Sequence, residues 1–283
     1  MRAAMKSFRT KQEVRDQVRA WRREGLSVGL VPTMGYLHEG HLSLMRIAKR
    51  EADRVVASVF VNPTQFGPNE DFAAYPRDEA RDLAQCESVG IDGVFLPEVS
   101  EMYRADATVH IVEDRMSKVL CGITRPIHFG GVLTVVDKLF NIVTPDVAVF
   151  GQKDAQQLAI IRRMVRDLDI PVRIVGAPIV REPSGLAMSS RNTYLSAEER
   201  ERALCLRRSL DFAEAEWAAR RTDPAALRDG MRRILAAGGA DVEYVETVDA
   251  DSLEPVDALR ANTLVAIAAR IGRTRLIDNT VLA

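Results

Sequence analysis

The chain has 283 residues, 47% hydrophobic and 28% charged, and its 39 Lys+Arg against 40 Asp+Glu leave a net charge of −1. That balance argues against a protein held on nucleic acid by a general basic field, and no apolar run approaches the roughly 20 residues of a membrane span. Three cysteines, Cys86, Cys121 and Cys205, are odd in number and far apart, which speaks against both a disulfide framework and a metal cluster. Met1 to Lys11 alternates basic and apolar residues without an apolar core, unlike a secretory leader, so the expected compartment is the cytoplasm.

Taken in order, Thr10 to Glu24 mixes apolar and charged residues at helical spacing and stops at Gly25. Ser27 to Thr33 reads as a strand, Met34 to Gly40 as a turn, and His41 to Glu51 as a helix. Arg54 to Val61 is a β-branched run suited to a strand buried on both faces, ending in the loop Asn62 to Gly67. A helix over Asp78 to Val89 closes at Gly90 before a short strand, Gly93 to Leu96. Val132 to Val143 reads as a helix, Val147 to Phe150 as a strand, Ala155 to Leu168 as a helix and Val172 to Val175 as a strand.

This alternation predicts a Rossmann-like, doubly wound parallel sheet whose ligand lies beyond the carboxyl ends of the strands. The loops after Thr33, Val61 and Phe150 should therefore meet. After Val180 the texture changes, with charged helices over Ala197 to Arg220 and Pro224 to Ala237, then strands over Val242 to Val248 and Leu264 to Ile271. The expected division is a domain over 1–180 and a smaller α+β domain over 181–283. There is no internal repeat.

The chain has four histidines, and two of them, His38 and His41, fall in one tetrapeptide with Glu39 and Gly40. At a helix start, imidazoles three positions apart share a side beside free backbone N–H groups, an arrangement suited to phosphates. Gly35 and Gly40 let backbone approach a nucleotide closely. Met188-Ser189-Ser190-Arg191 follows Gly185 and offers two hydroxyls and a guanidinium to a triphosphate. Gly151-Gln152-Lys153-Asp154 directly follows a strand; Lys153 offers charge to phosphate, and Asp154 either a helix cap or a ribose contact. Gln65 and Gln157 are neutral amides that could orient a carboxylate without blunting it as a nucleophile.

Six motifs occur in order: PTMGYLHEGH, VFVNPTQFGPNEDF, YPRD, CGITRPIHFGGV, FGQKDAQQL and GLAMSSRNTYL. Through them, and the tail TRLIDN, the chain resembles the pantothenate synthetases, relatives of the class I aminoacyl-tRNA synthetases. The resemblance implies an ATP-dependent ligase that joins pantoate to β-alanine through a pantoyl adenylate, releasing AMP and pyrophosphate. It implies ATP contacts from Met34, Gly35, Tyr36, Leu37, His38, Glu39, Gly40 and His41, from Gly151 to Asp154, from Val180, and from Met188 to Arg191. It further implies His41 as a proton donor, and substrate contacts from Gln65, Gln157 and Asn62. Gln152 stands where the family more often has Glu. The resemblance also implies Mg²⁺ and a homodimer; Asp78, Glu79 and Asp82 are all candidate metal ligands.

Two other readings make different predictions. A nucleotidyltransferase that stops after releasing pyrophosphate would form no AMP on addition of β-alanine, and an RNA-binding relic of a synthetase fold would need a basic face and salt-dependent binding.

Overall fold

A computed structural model describes residues 4–68 and 70–283; the start of the segment weighed as a leader, 1–3, and Asn69 lie outside the described residues. The first part of the chain runs β1 (Lys6–Phe8), α1 (Lys11–Arg23), β2 (Val28–Thr33), α2 (Glu39–Glu51), β3 (Arg54–Val59), α3 (Glu79–Val89), β4 (Gly93–Phe95), α4 (Val99–Met102) and α5 (Cys121–Thr124). It continues with α6 (His128–Val143), β5 (Val147–Gly151), α7 (Ala155–Asp167) and β6 (Arg173–Ala177). All six strands are parallel, in the order β1-β4-β3-β2-β5-β6.

The connections explain the order. From β2 the chain winds outward through β3 to β4, then returns to place β5 on the other side of β2 and continues to β6. The reversal lies between β2 and β5, where adjacent loops part and leave a crevice at the strands' carboxyl ends. One face of the sheet buries Leu30, Val56 and Phe150 with Leu133, Phe140 and Ile161. The other buries Val31, Ala57 and Val149 with Met45, Ala48 and Cys86. Burial on both faces is why β3 and β5 are continuous apolar runs.

The remaining chain forms α8 (Ala197–Ala218), α9 (Pro224–Ala237), and an antiparallel sheet of β7 (Asp241–Asp249), β8 (Thr263–Ile271) and β9 (Thr274–Leu282). One sheet face packs Val265 and Ile267 against Leu206, Leu210 and Met231. The other contributes Leu264 and Ala266 to the core that contains α6 and α7. The central strand β8 is thus buried on both faces, and the second sheet is docked on the first by apolar contact.

The expected doubly wound sheet with a smaller α+β part is the observed fold. The strands β1 and β9 are additions to it. With three residues, β1 is too short to carry a period. In β9 the buried positions include Thr274, Asp278 and Asn279, so polarity does not alternate with burial. Helix α6 starts at His128, four residues before the expected Val132, and β3 ends at Val59.

Candidate active site

The turn between β2 and α2 is built by one buried carboxylate. Asp82, on α3, accepts the backbone N–H groups of Tyr36 (2.8 Å) and Leu37 (2.7 Å). Tyr36 and Gly35 both have positive φ, and a Cβ on Gly35 would lie 2.8 Å from Asp82 Oδ2 and 2.9 Å from Val59. Only glycine fits at Gly35. Burial pushes the Asp82 pKa up, against the lowering effect of the two N–H donors.

The turn delivers His38 to the N-cap of α2. His38 Nδ1 accepts the Gly40 N–H (3.1 Å), while the His38 N–H donates to His41 Nδ1 (3.3 Å). This reciprocal pair sets the tautomers: each neutral ring accepts at Nδ1 and carries its proton on Nε2. The ring centroids are 4.0 Å apart. A side chain on Gly40 would collide with the His38 ring at 2.8 Å. Burial, and then the charge of Lys153, push His38 down to about 4; burial, His38 and Lys153 hold His41 well below the usual range. Both imidazoles are therefore neutral donors at neutral pH.

These rings line a cleft of about 230 Å³ with Met34, Gly40, Asn62, Gln65, Gly151, Lys153, Asp154, Gln157, Val180, Met188, Ser189, Ser190 and Arg191. Segments from the ends of β2, β3 and β5 thus meet, together with the segment after Val180. The Lys153 ammonium forms no ion pair or hydrogen bond among the described residues, nor does the amide of Gln157. Its neighbour Gln156 is fully engaged, accepting from the Cys121 N–H and donating to the carbonyls of Met116 and Val119. Helix geometry separates the two: one amide anchors α5, the next opens on the cleft.

Gln65 is fixed from several sides. Asn62 Nδ2 donates to Gln65 Oε1 (3.0 Å) and to the Gly131 carbonyl (3.1 Å), while Asn62 Oδ1 accepts from Tyr103 and Thr64. Asn62 lines the cleft, and its amide is engaged by protein partners, Gln65 among them. The Nε2 of Gln65 is left with the weak acceptor Met34 Sδ at 3.2 Å, a partner that a ligand oxygen would outcompete. Helix α6 comes so near that a Cβ on Gly131 would sit 2.4 Å from the Thr64 carbonyl oxygen and 2.6 Å from Gln65 N.

The structure shows how the other residues of these segments are engaged. Leu37 is fully buried in the core, Tyr36 stacks under the Arg81 guanidinium, and Glu39 pairs with Arg46 away from the cleft. Gly35 lines a separate cavity behind the turn. Gln152 reaches toward Asn279 instead of the cleft. Asp154 stands at the N-cap of α7 but makes no capping bond. Ser189 Oγ accepts the Arg191 N–H, and Ser190 Oγ lies 3.3 Å from the Tyr75 hydroxyl. Arg191 is no free clamp: its Nε and Nη2 donate to Asp71 at 3.1 and 2.9 Å. Burial opposes the charge on Asp71, and Arg191 more than offsets it, lowering the carboxyl below its usual value.

Arg125 and His128 are lining residues to which the sequence reading gave no role. Arg125 pairs with Glu70 and also donates to the Gln65 carbonyl, as does His128 Nδ1 at 3.0 Å. The His128 ring is accordingly the opposite tautomer, with a bare Nε2; burial and Arg125 push it down to about 4. Both stand in CGITRPIHFGGV, a motif whose charged and aromatic members gave a signal without a chemistry.

The candidate metal ligands have other employment. Asp78 caps α3 through the Arg81 N–H, Glu79 pairs with Arg9, and Asp82 holds the turn. Among the described residues no group of three or more His, Cys, Asp or Glu could hold a metal ion.

Comparison with known proteins gives one answer. The model of the family described as pantoate-beta-alanine ligase matches residues 6–281. A pantothenate synthetase of Geobacter sulfurreducens is 55% identical over 262 residues, 92% of this chain and 93% of that relative. One from Enterococcus faecalis is 54% identical, covering 96% and 97%. The crystal structure of pantothenate synthetase from Thermus thermophilus superposes with a TM-score of 0.92 at 45% identity, covering 98% and 99%. That of the pantoate-beta-alanine ligase from Francisella tularensis, complexed with beta-gamma ATP and beta-alanine, gives 0.81 at 32%, covering 98% of both chains.

Proposed function

The chain belongs to the pantoate–β-alanine ligase family, and from that premise we propose how its cleft makes pantothenate from pantoate, β-alanine and ATP. That it is a pantothenate-forming ligase follows from its relatives; the residue roles are the proposal. One observation carries them: the unpaired Lys153 ammonium, two neutral imidazoles protonated on Nε2, and the amides of Gln65 and Gln157 face a single cleft.

In the first step the pantoate carboxylate attacks the α-phosphate of ATP, giving a pantoyl adenylate and pyrophosphate. A carboxylate with a pKa near 4 is already ionised at pH 7, so this step needs no base. It needs in-line placement and donors aimed at the charge that develops on phosphate oxygens. Gln65 and Gln157 orient pantoate without neutralising it. Lys153 and the Nε2–H groups of His38 and His41 meet the phosphate, with the hydroxyls of Ser189 and Ser190 beside them. Gly40, Gly151, Val180 and Met188 wall the nucleotide, and Asp154 faces its ribose. Arg191 contributes through its remaining Nη1, held in place by Asp71.

In the second step the neutral amine of β-alanine attacks the acyl carbon, its surplus proton is released to water, and AMP leaves as the acyl–oxygen bond breaks, its departing charge offset by Lys153. The assay is AMP formation from ATP with pantoate alone, β-alanine alone, and both. AMP is expected only with both, whereas pantoate alone should support exchange of pyrophosphate into ATP. AMP formation that ignores β-alanine would overturn the two-step scheme.

We propose also that residues 1–180 and 181–283 act as two domains, the second covering the water-sensitive adenylate. Mg²⁺ would accompany ATP as the counter-ion of its phosphates, while Asp78, Glu79 and Asp82 are engaged by the Arg81 N–H, by Arg9 and by the β2–α2 turn.

A homodimer is the proposed assembly in a cytoplasmic setting, and no described helix is long and apolar enough to cross a membrane. Val109, Val112, Ile123 and Ile127 are exposed, and the Ile111 N–H bond to Thr134 lays the first two along α6 near the others. If these side chains form one patch, it is the face a second copy would cover. Light scattering should give twice the chain mass, and Val109→Asp with Ile127→Asp should halve it; a monomeric unmodified protein at micromolar concentration would refute the dimer.

A further inference from the structure

The turn that carries Lys153 is held from the other sheet. Residues Gln152–Asp154 form a single tight turn between β5 and α7, and Asp154 adds no side-chain cap. Asn279, on β9, braces the turn through its carbonyls instead. Its Nδ2 donates to the carbonyls of Gln152 and Lys153, both at 3.0 Å, and its Oδ1 lies 3.5 Å from Gln152 Nε2. Asn279 is 4% exposed and is itself steadied from behind, since its N–H donates to Asp278, whose carboxylate is gripped by Arg181 at 2.7 and 3.0 Å.

The amide is not needed by its own sheet. The backbone of Asn279 is paired with Ala266 in β8, so the side chain is free to serve the neighbouring domain. Two carbonyls of one turn accepting from one NH₂ group leave the Gln152–Lys153 peptide a single orientation. That peptide sets the direction in which the lysine stem leaves the backbone, and among the described residues the Lys153 ammonium has no other tether.

We propose that Asn279 is a positioning residue for adenylate formation: by pinning the Gln152–Lys153 peptide, it aims the Lys153 ammonium at the reacting phosphate. This rests on the reading of Lys153 given above and extends it to a residue that touches no substrate. Misplacing a reacting group by about 1 Å costs on the order of 10²-fold in rate. The loss should fall on kcat, because pantoate is held by other side chains.

The test is a double-mutant cycle on pantoate-dependent exchange of pyrophosphate into ATP, in the full chain, using Asn279→Ala, Lys153→Ala and both. Asn279→Ala is expected to lower kcat about 10- to 100-fold, with KM for pantoate changed less than about threefold. In the Lys153→Ala background the same change should cost less than about twofold. Equal losses in both backgrounds would overturn the proposal, as would a loss confined to KM or none at all. If Lys153→Ala alone exchanges at the wild-type rate, the reading of Lys153 fails, separately from the coupling. Thermal unfolding identifies any variant that does not fold; Asn279→Ser, which keeps one donor, then carries the cycle and should lose less than Asn279→Ala would.

Discussion

Lys153→Ala is expected to fold normally and to lower pantoate-dependent exchange of pyrophosphate into ATP by about 10²–10³-fold, the usual cost of removing one donor to a developing anion. Folding should survive because, among the described residues, the ammonium has no partner to leave unpaired. The rate should not survive, because the other donors at hand are neutral or already ion-paired. His38 and His41 supply hydrogen bonds without net charge, and Arg191 already shares its charge with Asp71. In a cleft shielded from water a full charge acts more strongly than it would at the surface. Lys153→Arg should not restore the rate, since a planar guanidinium cannot take the place of a compact ammonium. His41→Ala should fall in the same direction, with the loss again in exchange. Wild-type exchange by both alanine variants would remove these assignments.

The second large effect concerns stability. The folded protein should lose stability as pH falls from about 6.5 to about 4, before its carboxylates contribute. Unfolded histidine takes up a proton near pH 6.5, whereas burial lowers His38 and His128 to about 4 and holds His41 well below its ordinary value. Across that window the unfolded chain binds more protons than the folded one, so stability rises with pH. For His128, at 9% exposure, the penalty at pH 5 amounts to about 2 kcal/mol. Glu70 and Asp71, lowered by their arginine partners against the effect of burial, weaken the fold only below about pH 4.5. Urea midpoints at pH 7.5 and pH 5 make the comparison, and unchanged midpoints would refute it.

Much of the fold was legible because buried parallel strands leave an unmistakable trace, as in Arg54 to Val59 and Val147 to Gly151. The histidine tetrapeptide was legible for a different reason: a helix N-terminus places its first turn by local geometry alone. What stayed hidden was set by distant partners. Nothing near Arg191 announces that Asp71, 120 residues earlier, will take its guanidinium, and nothing near Asp82 announces that it will order the turn before α2. The adjacent amides Gln156 and Gln157 differ only in which side of α7 they occupy relative to α5. Strand β9 was invisible because three of its buried side chains, Thr274, Asp278 and Asn279, are polar and break the alternation of a half-buried strand.

The bare backbone of Gly131 bears on how genetic data from this chain would look. Even a methyl group there would press on the Thr64–Gln65 peptide and push the Gln65 amide out of place, although Gly131 meets no substrate itself. Cells that depend on this chain for the vitamin would be starved by a Gly131→Ala allele and relieved by feeding more pantoate. A screen would then score the glycine as a binding residue, when its contribution is an empty space.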